Sequence, residues 1–290
     1  MPTSHSMVRP LKRVVVKRPA DAFRSKEAIE REWKGLDYLR VPDLSLAERD
    51  HERFVALVAQ AGAEVLYLPP DDRTGLDSLY VHDPVLMTDE GAVIFQTGKP
   101  ARRGEGPAIA DAFAKWDIPI LGRVEGAATA EAGDMLWLDE KTLLVGRGLR
   151  TNAAGIDSLR ALFLPLAVQV IAFDMPYWNG VSEVLHLQSF ISLLDKDLAV
   201  VYRRLLPVAM YELLGERGIE LVDVPELEYD TLACNVLTIA PRNLVMVQGN
   251  LLTRARLEAA GCNVAEFDGS EICLPGSGGP TCLTRPVMRA

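Results

Sequence analysis

The chain lacks any apolar run approaching the 18 or more residues of a membrane span, so no span is expected. It has no CxxC pair. Its four cysteines, Cys234, Cys262, Cys273 and Cys282, stand apart, and the four histidines (His5, His51, His82 and His186) show no ligand spacing. Neither a zinc site nor any other metal centre is therefore expected. No GxGxxG follows the first strand-like segment, which removes the signature of a dinucleotide-binding fold. No Ser/Gly-rich linker interrupts the chain, so residues 1–290 read as one domain. Residues 1–6 are polar and without the apolar core of a signal peptide. Residues 1–8 read as a disordered leader, with Met7 an alternative start. Without a secretory signal, reduced thiols in a cytoplasm are expected. An excess of basic charge is also lacking: the net charge is −9. Neutralising phosphates needs basic surface, so a general nucleic-acid binder is excluded, although a local basic pocket is not.

What is present is ordinary soluble material arranged with a period. Hydrophobic residues make up 49% and charged residues 24% of 290, enough for a large core. Strand-like segments at 11–17 and 64–68 flank an amphipathic helix at 46–61 that closes at Gly62. The same helix–glycine–strand sequence recurs at 210–217, Gly218 and 219–224, and at 252–260, Gly261 and 263–267. A glycine there suits the left-handed conformation that ends a helix. Paired strands are expected at 79–87 with 92–97, 135–138 with 142–146, 186–194 with 198–202, and 235–239 with 244–248. Further helices are expected at 107–116 and 152–164. The unit strand, strand, helix, strand fits about five times, which suggests an α/β radial or stacked architecture rather than a doubly wound sheet. In such a ring the hairpin ends converge on one central pocket.

Cys282 lies in the run Gly276-Ser277-Gly278-Gly279-Pro280-Thr281-Cys282. A thiol in so glycine-rich a loop is poorly explained as core filling, and the small residues let a ligand or another backbone approach the sulfur. Upstream stand Glu131 in Glu131-Ala132-Gly133-Asp134 and His186 in His186-Leu187-Gln188-Ser189-Phe190. Thiol, imidazole and carboxylate are the groups of a cysteine nucleophile, its proton shuttle and the shuttle's orienter. Any chain of this length holds a Cys, a His and a Glu, so these residues alone do not join them into a site.

In their order, the motifs resemble the guanidine-modifying superfamily of dimethylarginine dimethylaminohydrolases, arginine deiminases and amidinotransferases. Asp77 followed by Asp83 in Tyr80-Val81-His82-Asp83-Pro84 is similar to the first substrate-binding block. Gly98-Lys99-Pro100-Ala101-Arg102-Arg103-Gly104-Glu105 is similar to the first arginine loop. The Glu131 block, Gly148-Leu149-Arg150-Thr151-Asn152, the His186 block and Cys282 follow, so the resemblance runs from about Val14 to Pro286. It implies a five-bladed α/β propeller (pentein) of ββαβ repeats. It further implies Cys282 as nucleophile, His186 as general acid/base and Glu131 as orienting carboxylate. Asp83 would hold the guanidinium, Asp77 would place the α-amino end, and Arg102 and Arg150 would grip the α-carboxylate. The implied reaction is hydrolysis of dimethylarginine to citrulline and dimethylamine through an S-alkylthiouronium, without cofactor. Hydrolysis or amidino transfer on another guanidine such as arginine is the alternative. A non-catalytic binding protein of the same fold stands further off, and a homodimer is possible.

Two positions depart from the pattern. His82 stands where the dimethylarginine branch carries Glu, and is expected to bias substrate choice if it faces the pocket. Gln188 replaces the Asp that resembling deiminases and amidinotransferases carry two residues after the His, which favours the dimethylarginine branch. Asp134 is expected to support the site, Arg103 to be a surface charge, and Asn152 to be either a helix cap or a site residue. Residues 175–180, with Tyr177 and Trp178, suit a lid or a packing anchor. Cys234 and Cys273 are expected in the core, Cys262 partly exposed, and His51 exposed and inert.

Overall fold

The computed structural model describes residues 2–182 and 184–290. The chain opens with β1 (Leu11–Val16), two short helices α1 (Pro19–Phe23) and α2 (Lys26–Glu32), the long helix α3 (Leu44–Gln60) and β2 (Glu64–Tyr67). Then one unit repeats. It appears first as β3 (Val85–Thr88), β4 (Gly91–Phe95), α4 (Glu105–Lys115) and β5 (Ile120–Val124). It returns as β6 (Met135–Asp139), β7 (Thr142–Arg147), α5 (Ala153–Phe163) and β8 (Gln169–Asp174). The third copy is β9 (Ile191–Asp195), β10 (Leu198–Val201), α6 (Val208–Glu216) and β11 (Glu220–Asp223). After the short α7 (Glu226–Tyr229) comes β12 (Leu237–Ala240), β13 (Asn243–Val247), α8 (Leu251–Ala259) and β14 (Asn263–Phe267). The last strand, β15 (Arg285–Arg289), returns to the beginning of the chain.

These strands form five three-stranded sheets. Each holds one antiparallel pair and one parallel pair, with the helix as the crossover. The fifth sheet joins both ends of the chain, since β15 pairs antiparallel with β1, which pairs parallel with β2. A parallel pair needs a crossover of a dozen or so residues, which is why a helix stands between the second and third strand of each unit. The middle strands β4 (Gly-Ala-Val-Ile-Phe) and β10 (Leu-Ala-Val-Val) are apolar and buried along their length, as strands covered on both faces must be. Helices also bridge neighbouring sheets: α5 packs on β8 and β5, α8 on β14 and β11, and α3 on β2 and β14.

The local chemistry follows the sequence. Asp43 caps α3 by accepting from Leu46 N at 3.0 Å, and Asn152 caps α5 by accepting from Gly155 N at 2.8 Å. Gly62, Gly218 and Gly261 take φ of 87°, 67° and 82° just after their helices, as expected of glycine stops.

Five expectations require correction. The strand expected at 79–87 is short, because residues 76–79 form a 3-10 turn and pairing begins only at Val85. His186 does not open a strand; it caps a 3-10 turn, and β9 begins five residues later. The described part of the expected leader, residues 2–8, is packed rather than disordered. Thr3 exchanges 2.9 Å backbone hydrogen bonds with Arg289, and the His5 ring stacks on Trp137 at 4.0 Å, so the segment extends the fifth sheet and covers an indole. Cys262 and His51 are both buried, and burial pushes His51 down to about 4. Cys234 and Cys273 lie in the core, and Arg103 is exposed, as expected.

Candidate active site

Cys282 sits on the turn preceding β15. Three close approaches explain its glycines. A Cβ on Gly276 would lie 2.3 Å from the Tyr80 hydroxyl, one on Gly278 2.3 Å from the Tyr80 ring, and one on Gly279 2.4 Å from Asn235. Only bare backbone fits against these side chains. Asn235 fixes the loop by accepting from Thr281 N at 3.0 Å and from Thr281 Oγ1 at 2.7 Å. Its amide also donates toward Cys282 Sγ at 3.5 Å. The sulfur is partly exposed to the pocket. Desolvation, then the negative Asp83, raises the thiol to about 11, against hydrogen bonds from Gly279, Thr281 and Asn235 that lower it. The resting group is a thiol.

Glu131 stands just before a short turn (Ala132–Asp134), and His186 just before another (Leu187–Ser189). The turns pack together through Asp134, whose Oδ1 accepts from Leu187 N at 3.1 Å. This brings His186 Nε2 to 2.7 Å from Glu131 Oε2, while Nδ1 lies 3.8 Å from Asp83 Oδ1. Gly133 is obligatory in this arrangement, since a Cβ there would stand 2.4 Å from His186 Nδ1 and 2.9 Å from Asp83 Oδ1. Burial lowers the affinity of His186 for a proton, but Asp83, Asp134 and Glu131 outweigh it and raise the imidazole to about 9. Burial would raise Glu131; the His186 hydrogen bond and charge, with Arg150, reverse this and hold it down at about 2. Asp83 is held below the usual carboxylate range: burial opposes this, and His186 and Arg102 prevail. Asp134 is pushed up to about 7, mainly by burial, with partial relief from His186 and Thr151.

Asp77, Asp83, Arg150, His186 and Cys282 line one pocket, together with Tyr80, Lys99, Arg102 and Val184. The residues named from sequence thus converge, with two exceptions in their use. Arg102 borders the pocket, but its fork is spent. It donates to Asp83 Oδ2 at 2.5 Å, to both Glu105 oxygens at 2.8–3.2 Å, and to the carbonyls of Tyr80 and Asp77 at 2.9 and 3.3 Å. Freeing it for a ligand would strand Glu105, already pushed up to about 7 by burial against the pull of Arg102. The second exception is His82, which turns its ring out of the pocket. Nδ1 meets the Thr284 carbonyl at 2.9 Å, and Gln188 Nε2 meets Nε2 at 3.0 Å. Burial, then Arg285, lowers His82 to about 3, so it stays neutral.

The sequence reading passed over Lys99. Its ammonium meets Asp77 Oδ2 at 2.8 Å and the Leu36 carbonyl at 2.6 Å, leaving one of its three donors for the pocket it lines. Arg150 stands 3.6 Å from Glu131 Oε2, too far for a strong hydrogen bond. Lys99 and Arg150 also border a larger cleft of about 450 Å³ outside the pocket, with Leu149 and Val181 on its walls. Tyr80 stands in the first substrate-binding block without a role expected of it, and Asn235 lies in no motif of chemical residues. Asn152 proves to be a helix cap. Trp178 packs edge-on against Tyr229 at 6.1 Å, while Tyr177 is exposed. Asp83, Glu131 and His186 bring one potential ligand atom each within 4.8 Å of one another, yet Arg102 and Arg150 already balance the two carboxylates.

Comparison with known proteins gives this geometry its context. The sequence model described as arginine deiminase matches residues 77–213 and 205–289. An N(G),N(G)-dimethylarginine dimethylaminohydrolase from Pseudomonas aeruginosa is 28% identical over 250 residues, covering 85% of this chain and 91% of that protein. One from Streptomyces coelicolor is 31% identical over 209 residues, covering 69% and 75%. Among solved structures, the P. aeruginosa enzyme in complex with citrulline superposes with a TM-score of 0.77 at 23% identity, covering 95% of this chain and 98% of that one. The amidinotransferase SxtG from Microseira wollei gives 0.79 at 15% identity, covering 99% and 97%. With a family match over most of its length, and Glu131, His186 and Cys282 inside it, the chain belongs to the arginine deiminase family, as a relative of the dimethylarginine dimethylaminohydrolases.

Proposed function

We propose that the protein is a hydrolase of linear amidines that converts dimethylarginine to citrulline and dimethylamine. The observation that carries this reading is the charge order of the pocket: a thiol beside Asp83, and a protonated imidazole held between Asp83 and Glu131. A guanidinium entering between Asp83 and Cys282 replaces an unfavourable negative neighbour of the sulfur with a positive one, which lowers the thiol's pKa where it is needed. The thiol proton leaves to solvent, and Sγ attacks the central guanidinium carbon. His186 then gives its proton to the departing dimethylamine, leaving an S-alkylthiouronium. The neutral imidazole takes a proton from water, whose oxygen attacks the same carbon; collapse breaks the C–S bond, the hydroxyl proton passes to the departing sulfur to restore the thiol, and the ureido product is released. Glu131 holds the imidazole in register throughout.

At the other end, Lys99 and Arg150 grip the α-carboxylate, and Asp77 places the α-amino group. Arg102 acts through Asp83, as its buried counter-ion. For the architecture, we read the five sheets as five blades of one α/β propeller in a single domain. The bridging of α5, α8 and α3 between successive sheets, and the fifth sheet made from both chain ends, support that reading.

The test is a mass-spectrometric product assay with dimethylarginine, arginine and other guanidines, using Cys282→Ser as control. Citrulline and dimethylamine, lost in the variant, are expected. Ammonia released from arginine, with dimethylarginine untouched, would move the assignment to a deiminase-type specificity. No turnover of any guanidine would overturn the enzymatic reading.

A further inference from the structure

Behind the catalytic pocket, β15 turns Arg285, Val287 and Arg289 inward, alternating with the half-buried Pro286 and Met288. Successive strand residues point to opposite faces, so the two guanidinium groups share one buried face of the fifth sheet. Among the described residues, neither makes an ion pair with a carboxylate. Arg285 Nη2 donates to the His82 ring, 2.6 Å from Nε2. That ring is neutral, because burial and then Arg285 hold its proton affinity low, and its Nδ1 faces the Thr284 carbonyl. Arg289 Nη1 donates to the carbonyls of Arg9 and Thr238, at 2.6 and 2.8 Å. In both arginines Nε–H is buried without an acceptor. The nearby acid, Asp83, is already bound to Arg102 and to Gly133 N. Buried charges in proteins are as a rule paired, and burial disfavours the charge on both arginines.

Arg289 borders a narrow cavity of about 20 Å³, walled by Met7, His82, Gln188, Thr238 and Thr284. We propose that this cavity binds a small, weakly hydrated monovalent anion of the halide class, as the counter-ion of Arg289. A water-sized particle needs roughly 10–15 Å³ of such space, so one halide fits and a polyatomic oxyanion does not. Water could accept from Nε–H but brings no charge. Ser192, Thr238 and Thr284 already donate their hydroxyls to carbonyls, leaving Arg289 as the charged donor at the site. Apolar walls, including Leu136, Ile191 and Leu193, favour an anion that sheds its hydration readily.

Bromide is the probe. Crystals of the full chain grown without halide and soaked in bromide are expected to show an anomalous peak beside Arg289 Nε. In solution, melting temperature is measured against bromide at constant ionic strength, with gluconate as the balancing anion. It is expected to climb by about 2–4 °C per tenfold bromide once above Kd. Arg289→Met should abolish the climb. Should that variant not fold, the wild-type comparison of bromide with gluconate stands alone. No anomalous peak, or a peak with an identical melting temperature in both salts, overturns the proposal; the second result marks an adventitious ion only.

Discussion

Replacing Glu131 by Gln tests the electrostatic core of the site with little change of shape. In the wild type, three carboxylates raise His186 from an ordinary 6.5 to about 9 against the cost of its burial. At about 1.4 kcal/mol per tenfold change in proton affinity, that rise is worth roughly 3 kcal/mol in favour of the protonated form. The depression of Glu131 from 4.5 to about 2 is largely the same interaction seen from its partner, so the two are not summed. A raised histidine contributes stability that is full below pH 6.5 and fades as pH climbs through about 9. The lowered Glu131 contributes stability present above pH 4.5 and lost as pH falls toward 2. The contribution of this pair should therefore be flat between about pH 4.5 and 6.5 and decline on both sides. Glu131→Gln leaves Asp83 and Asp134 in place, so we expect it to remove about 1–2 kcal/mol of the alkaline slope and to shift the His186 titration downward. Proton NMR reads this directly, because the chain has only four histidines and burial keeps His51 and His82 neutral down to about pH 4 and 3. An unmoved His186 titration in the variant, or a wild-type His186 that titrates near 6.5, would refute the reasoning.

Three further outcomes follow from the same geometry. Lys99→Met should raise KM about 10–100-fold for guanidines bearing a carboxylate and leave alkylguanidines without one unaffected, whereas Arg102→Met should lower the melting temperature by stranding Asp83 and Glu105, a cost of about 3–5 kcal/mol; equal KM effects on both substrate types would remove Lys99 from the carboxylate end. Alkylation of Cys282 by iodoacetamide in the ligand-free protein should accelerate up to about pH 11, and a plateau below pH 9 would show a preformed thiolate.

The fold was legible where local rules operate. Glycine stops at 62, 218 and 261 and the apolar middle strands mark the repeat before any tertiary contact is known, and strand Asn263–Phe267 was placed to the residue. Expectations failed where tertiary packing overrode pattern. Residues 79–84 read as a strand by hydrophobicity, yet their backbone turns to deliver Asp83 to the pocket and His82 away from it. The leader reads as disordered because it is short and polar; its order comes from Arg289 and Trp137, more than 130 residues away. In the site, the carboxylate, imidazole and thiol announce themselves by residue type. The choice between Lys99 and Arg102 does not, because both are basic and three residues apart, and only the burial of Glu105 shows which cation is already taken.

That distinction bears on how the site tolerates so much buried charge. Glu131, His186, Asp83, Arg102 and Glu105 form a chain of alternating sign, each link between 2.5 and 3.8 Å. Such a chain is stable without ligand, since every charge has an opposite neighbour. Cys282 sits at its edge and sees chiefly the negative Asp83, so ionising it alone would add a charge with no partner. A cationic guanidinium supplies that partner and is also the electrophile. Neutral ureas of similar shape, citrulline included, bring no charge to Asp83 and leave the sulfur protonated. On this argument the preference for guanidines over ureas lies in activation of the sulfur as much as in binding.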